Sequence, residues 1–228
     1  MKHIVSFSGG KDSTTMLLMM LERNITIDEI VFADTTLEYP EMYQYLEKIE
    51  NYIGREIIRT NPKKSFDEWC YGKFTRGTRK GQIRGLPAVL CPCYWMRESK
   101  VNPVLQYTKG NYVYFGITCN ERPRAKEREG MDARYPLVEW YMTEKGCLHF
   151  IKNRGLLNPL YNQMKRTGCW LCPKQGILSL RYLYNNHSDL WERLKIYEQD
   201  SPCGFKIDKT LLEFEMQFER ENNRPKLF

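Results

Sequence analysis

The beginning of the chain alternates between short apolar runs and longer amphipathic ones. KHIVSF (2–7) and IDEIVFAD (27–34) are brief apolar segments with polar edges and predict strands. Between them, STTMLLMMLER (13–23) keeps apolar residues through several turns and predicts a helix. PEMYQYLEKIENYIG (40–54) predicts a second helix, with Pro40 in its first turn and Gly54 past its end. REIIRTN (55–61) predicts a third strand. A β-α-β-α-β order calls for a parallel sheet with right-handed crossovers. Ligands on such sheets sit at the carboxyl ends of the strands, where SGGKDS and ADTT both fall.

From 62 to 90 the periodicity is lost. YGKFTRGTRKGQIRGLP reads as a mobile basic loop: a lid, a surface for an anionic substrate, or a solvated loop. CPCYWMRESKVNPVLQYT (91–108) enters a helix ending near Lys109, and NYVYFGIT (111–118) is a strand. ERPRAKEREGMDARYP is charged and loop-like. Helices are expected at 142–154, 176–199 and 210–223, the last amphipathic. There is no internal repeat and no low-complexity segment. The expectation is an α/β fold, a doubly wound, mostly parallel sheet followed by a helical, cysteine-bearing part.

The 228 residues suffice for one well-buried domain with a small appendage. No apolar run reaches the length of a membrane span, and with MKHIVSF followed at once by SGG no signal peptide is expected. A cytoplasmic protein is expected. The net charge of +7 suits anionic partners, nucleotide or nucleic acid among them. Eight cysteines in a reducing compartment point to metal or redox chemistry.

The chemistry concentrates in IVSFSGGKDSTTMLL (4–18). A Walker A loop needs glycine where Val5 stands and a hydroxyl where Asp12 stands, and no G-x-G-x-x-G is present. Gly9 and Gly10 nevertheless let the backbone approach an anion, and the turn opens into a helix N-terminus that favours phosphate. Ser8, Ser13 and Thr14 offer hydroxyls and Lys11 offers charge. Asp12 would stabilise the first turn or help to hold a divalent cation. The plain alternative is a Gly-Gly turn before a capped helix.

SFSGGKDST resembles the SGGxDS motif of the ATP pyrophosphatase (adenine nucleotide α-hydrolase-like) superfamily, whose loop binds the pyrophosphate of ATP. FADTTLEYPEMYQY is similar to the DTGLEFPET segment of that superfamily's phosphoadenosine-phosphosulfate (PAPS) reductase branch, which makes Asp34 and Thr35 nucleotide-site candidates. GITCNERPRAKER resembles the branch's GxRxxESxxR segment through Gly116, Glu121 and Arg124, and departs from it at Thr118 and Arg122. RYPLVEWYMTE is similar to R-x-x-P-L-x-x-W through Pro136, Leu137 and Trp140, and NPLYNQMKRTGCWLCP resembles the stretch that follows.

Cys91 and Cys93, with Cys169 and Cys172, form two close pairs able to supply four thiolates to one metal centre. Cys70, Cys119, Cys147 and Cys203 stand alone and read as ordinary thiols, Cys119 being a weaker active-site candidate. Zinc and an iron–sulfur cluster both suit such ligands. The resemblance favours a 4Fe–4S cluster, as in adenylylsulfate reductases, and the GCW-x-C segment is similar to that of DndC-like proteins; structural zinc is the alternative. Here the first pair is C-x-C rather than C-C. The expected division is a nucleotide-binding α/β domain, 1–140, and a helical region, 141–228, packed on it and sharing the metal site.

Two departures bear on the reaction. PAPS and adenylylsulfate reductases carry a degenerate loop, whereas this loop is complete, which implies ATP. Their catalytic cysteine lies in a C-terminal ECG-x-H tail, and no cysteine follows Cys203 here. The resemblance therefore implies an enzyme that adenylates an acceptor with release of pyrophosphate, for sulfur transfer such as nucleic-acid thiolation. Lys11, Asp12 and Arg124 are its catalytic candidates, with Arg134 as a further anion holder. Ser8, Gly9, Gly10, Ser13, Asp34, Thr35, Gly116 and Glu121 would bind the nucleotide, with Mg2+ on its phosphates. The expected partners are ATP, a tRNA or DNA acceptor met by the basic loop 73–84, a sulfur-donor protein and a second copy in a homodimer, with no membrane. The alternatives are a sulfonucleotide reductase, a sulfate adenylyltransferase-like enzyme and a non-catalytic nucleotide-binding regulator.

Overall fold

The computed structural model describes residues 1–223. In chain order its elements are β1 (His3–Phe7), α1 (Lys11–Glu22), β2 (Glu29–Ala33), α2 (Pro40–Ile53), β3 (Ile58–Thr60), α3 (Phe66–Cys70) and α4 (Tyr94–Met96). A π-helical turn (Arg97–Val101) follows, then α5 (Asn102–Thr108), β4 (Tyr112–Phe115), a 3₁₀ turn (Cys119–Arg124), β5 (Asp132–Arg134), α6 (Pro136–Glu139) and α7 (Glu144–Asn153). A second 3₁₀ turn (Pro159–Asn162), α8 (Ile177–Asn186), α9 (Ser188–Asp200) and α10 (Leu211–Asn222) complete the described chain.

The elements form two compact units, 1–63 with 97–168, and 64–96 with 169 onward. This division is interleaved, unlike the sequential 1–140 and 141–228 expected from sequence. Residues 64–96 belong with the later helices, and α7 belongs with the sheet.

The first unit is α/β. Its sheet has the order β3-β2-β1-β4-β5, and every pairing is parallel, with Val5 opposite Ile30, Ile4 opposite Val113 and Val31 opposite Ile58. Val5, Val31 and Val113 are fully buried, as strands covered on both faces require. The chain runs outward from β1 to β3, then returns to β1's other side as β4. Right-handed crossovers then put the helices on opposite faces and leave a switch point between β1 and β4.

Local departures have physical causes. β5 escaped the hydrophobic reading because Asp132 and Arg134 are charged and only partly covered at the sheet's edge. The π-helical turn precedes Pro103, whose missing N–H removes an α-helical hydrogen bond and favours a widened turn. The helix expected over 176–199 breaks at His187, where φ is −138°.

The second unit is helical and packs on aromatic rings. Phe66 meets Trp95 edge-on at 5.2 Å and Tyr197 at 5.1 Å, and Tyr184 meets Trp191 at 5.4 Å. Trp95, Trp170 and Trp191 are each at most 2 % exposed.

Candidate functional site

β1 ends at Phe7 and α1 begins at Lys11, so Ser8, Gly9 and Gly10 make the whole turn at the switch point. Gly9 has φ +67°, a region where a Cβ is penalised. Gly10 caps α1 in extended conformation without a side-chain cap, leaving the first N–H groups to other partners. One of them, Lys11 N–H, donates to the Tyr161 hydroxyl at 3.0 Å. Asn158, buried, donates Nδ2 to the Gly9 carbonyl at 3.0 Å and accepts Leu160 N–H at 3.0 Å. A Cβ on Gly116 would lie 2.7 Å from Ser13 Cα, so glycine there lets the end of β4 press against α1.

The loop hydroxyls divide. Ser8 and Ser13 share a hydrogen bond of 2.9 Å and face a cavity. Thr14, expected as a phosphate donor, is fully buried. It donates to the Gly10 carbonyl at 2.9 Å and accepts from Tyr45 Oη, so its hydroxyl belongs to the helix and core.

The cavity measures about 350 Å³ and is polar. It brings together Ser8, Gly10, Lys11, Asp12, Ser13, Gly116, Glu121 and Arg124, all singled out from sequence, with Glu144, Tyr161, Lys165 and Arg166, which were not. Gly9 shapes the turn without lining the cavity. Lys11 Nζ reaches Asp12 Oδ2 at 3.0 Å and Glu144 Oε2 at 3.1 Å. Burial pulls Lys11 down, but these carboxylates outweigh it and leave its pKa raised. Burial raises Asp12, and Lys11 only partly opposes it. Asp12 Oδ1 is buried without an N–H or O–H donor and has the Cys147 thiol beside it. Burial, first, and Asp12's charge push that thiol up to about 12. Arg124 pairs with Glu121. Among the described residues Lys165 and Arg166 have no ion pair, so they are the cations most available to an anion.

A second, apolar cavity of about 180 Å³ shares Ser8. Phe7, Phe32, Ala33 and Phe115 supply it from the carboxyl ends of β1, β2 and β4, with Val101, Val104 and Leu105 from the helical segment opposite. The Arg128 guanidinium lies 4.3 Å from the Phe115 ring centre on its rim. Sequence reasoning missed this slot, whose only signal was apolar residues ending three neighbouring strands.

Asp34 and Thr35 line neither cavity. Asp34 accepts Thr36 N–H at 2.7 Å and Tyr43 Oη at 2.8 Å. Thr35 donates to Glu38 Oε1 at 2.9 Å, which Lys100 also reaches at 2.9 Å. Both side chains turn inward to tie the loop after β2, although Ala33, one residue earlier, lines the slot. Arg134 is on β5, paired with Asp132, and lines neither cavity. Cys119 lines neither.

The four cysteines of the expected metal set all fall in the second unit. Cys169 hydrogen-bonds Cys172 and lowers it to about 6 against the opposing effect of burial, helped by Lys174 N–H and the Lys206 charge. Burial raises Cys93, Met96 N–H at 3.4 Å partly offsets this, and Cys172 is close enough to act on it. Sulfurs that accept backbone N–H groups suit a thiolate ligand. Cys91, however, is exposed. Among the described residues no three His, Cys, Asp or Glu side chains are gathered to hold a metal ion. As placed, Cys91, Cys93, Cys169 and Cys172 do not assemble a four-thiolate site.

Residues 2–81 match the phosphoadenosine phosphosulfate reductase domain family. The beginning of the chain is thus similar to a PAPS reductase domain. Over 206 residues the chain is 25 % identical to an uncharacterised protein of Methanocaldococcus jannaschii, covering 83 % of this chain and 40 % of that one. It is 22 % identical to a phosphoadenosine 5'-phosphosulfate reductase of Vibrio vulnificus, covering 71 % and 62 %. The chain spans 40 % to 66 % of the lengths of the curated relatives it matches. Among solved structures it superposes on PAPS reductase from Candida auris in a phosphate complex, with TM-score 0.52, 18 % identity and coverage of 73 % and 81 %. A U34-tRNA thiolase of Methanococcus maripaludis with its 4Fe–4S cluster gives TM-score 0.47 and 16 % identity over 99 % and 73 %, a fainter likeness that adds nothing to the assignment. The fold is adenine nucleotide α-hydrolase-like, as the resemblance implied. These likenesses bear on the fold and not on the DndC-like cysteine segment. Among the described residues no helix is long and apolar enough to cross a membrane.

Proposed function

We propose that the chain binds ATP at Ser8–Ser13, cuts it between the α- and β-phosphates and passes the adenylyl group to an acceptor oxygen for later displacement by sulfur. One observation carries this reading. A glycine-turned loop at the sheet's switch point separates a polar cavity holding four cations, Lys11, Arg124, Lys165 and Arg166, from an apolar slot built on Phe7, Phe32 and Phe115. A triphosphate fits the first and a base fits the second.

In the reaction, the acceptor oxygen attacks the α-phosphorus and the bond to the bridging oxygen breaks. Pyrophosphate leaves with that electron pair. A sulfur nucleophile then attacks the activated acceptor atom and AMP departs with the oxygen. The chain's contribution is positioning and preorganised charge. Lys165, Arg166 and the N–H groups opening α1 face the leaving pyrophosphate. Lys11 joins them by exchanging Glu144 for a phosphate oxygen, and Arg124 holds the α-phosphate or acceptor. Asp12 has one oxygen on Lys11 and the other buried, so it positions the lysine rather than a divalent metal ion. Mg2+ carried on the phosphates would neutralise charge there.

The test is pyrophosphate release from ATP with candidate acceptors, by the wild type and K11M. Release that falls about a hundredfold in K11M, the size typical of losing one such electrostatic contact, supports the reading; no release with any acceptor, or release indifferent to Lys11, refutes it. The family match favours a second reading, a sulfonucleotide reductase, for which thiol-dependent sulfite release is the assay. As placed, the thiols do not gather, so a 4Fe–4S cluster or zinc there would require the two cysteine pairs to close on it; metal analysis after anaerobic purification tests for either.

A further inference from the structure

One basic, acid-free stretch of the chain is used by neither cavity. From Trp69 to Met96 there is no Asp or Glu, while Lys73, Arg76, Arg79, Lys80 and Arg84 supply five cations. Sequence reasoning took the segment for a mobile loop. The structure closes it as a hairpin: Lys73 bridges Ile83 in antiparallel sense, Phe74 N–H donates to the Gln82 carbonyl and Gly81 N–H to the Phe74 carbonyl, both at 2.9 Å. Its root is fixed by Arg84 N–H on the Gly72 carbonyl at 3.0 Å and Leu86 N–H on Ser201 Oγ at 2.7 Å.

We infer that this hairpin, residues 72–85, is a docking surface for the phosphate backbone of a nucleic acid. Arg76, Arg79 and Lys80 are exposed, and none of the five cations has an ion pair among the described residues. The nearby carboxylates are already engaged, Asp67 by Arg193 and Asp200 by Tyr71. No large apolar side chain is exposed between Gly72 and Val89, so the surface offers charge rather than hydrophobic contact. The Arg79 guanidinium lies 4.2 Å from the Phe74 ring centre, and Arg84 lies 6.0 Å from Phe74 and 5.9 Å from Trp69. Guanidinium planes backed by rings suit phosphates beside stacked bases. A protein surface mixes signs and would call for some acids in reply; a phosphate backbone carries one sign, and so does the hairpin. The inference rests on the proposed function only for what the bound strand is for, as the acceptor.

The experiment is fluorescence anisotropy with a labelled folded RNA and a labelled DNA duplex, without ATP, across a salt series. R76S/R79S/K80S is expected to weaken binding of at least one probe roughly tenfold or more at low salt and to flatten the salt dependence by about two to three phosphate contacts. K48S/K109S/K152S removes the same charge from exposed sites elsewhere and is expected to change binding by less than about threefold, while R76K/R79K keeps it, since the backbone term follows local charge. Circular dichroism checks that each variant folds. The inference is overturned if the wild type binds neither probe, if both triple variants lose binding equally, or if polyglutamate competes as well as RNA charge for charge, which would mark an acidic protein as the partner. ATP-dependent pyrophosphate release is measured separately, so failure of the nucleotide reading leaves the binding result intact.

Discussion

Asp12 carries an unusual burden for a residue in the first turn of α1. Its folded pKa is raised by burial, so the native state holds its proton more tightly than the unfolded chain does. Stability from this group is therefore present at low pH and is lost as pH rises from the ordinary value of 3.8 through the raised one. D12N, with no charge to bury, should lack that loss, and the difference in melting temperature between the two proteins should change in its favour across the window. Parallel melting curves refute the assignment. Gly116 makes a different demand. G116A would drive a Cβ into Ser13 Cα and should abolish ATP binding while circular dichroism keeps the α/β signature; unaltered binding would show that the close approach is not needed. The motif residues were legible because the turn's chemistry is local to a few positions. Tyr161, Lys165, Arg166 and Asn158 were not, since they meet the loop only through folding. Asp34 and Thr35 were placed at the right strand end, but a resemblance gives a position and not the direction in which a side chain turns.

At the scale of elements, the strands and most helices followed from periodicity, because buried parallel strands read as apolar runs and α2 has Pro40 and Gly54 as its punctuation. β5 and the π-helical turn were hidden, one by charges at a sheet edge and the other by a proline inside a helix. The segment running into α5 matters most for the slot. Val104 is half-buried on its wall, so V104E should raise the dissociation constant for ATP at least about tenfold, by placing an unpaired charge in an apolar site. Isothermal calorimetry measures it, with unchanged far-ultraviolet circular dichroism as the control; equal affinities would mean that the base does not lie there.

For the whole molecule, fold class was readable and the division was not. Which segments share a core depends on contacts between distant positions: periodicity lapses from 62 to 90, but nothing in the sequence says that this segment packs with the helices after 168. A fragment ending at residue 140 lacks α7, which packs on α1, and both Asn158 and Tyr161. It should show no cooperative thermal transition by calorimetry, and a sharp one would mean that the sheet closes without them. The interleaving also has a consequence for how the chain is made. β1 finds β2 as its first neighbour, but its other neighbour, β4, emerges from the ribosome only after the whole of 64–96, and the loop's supports emerge later still. At typical synthesis rates the nascent sheet waits about ten seconds with one side of its first strand unpaired. In a living cell that exposed edge makes the growing chain a natural client for chaperones.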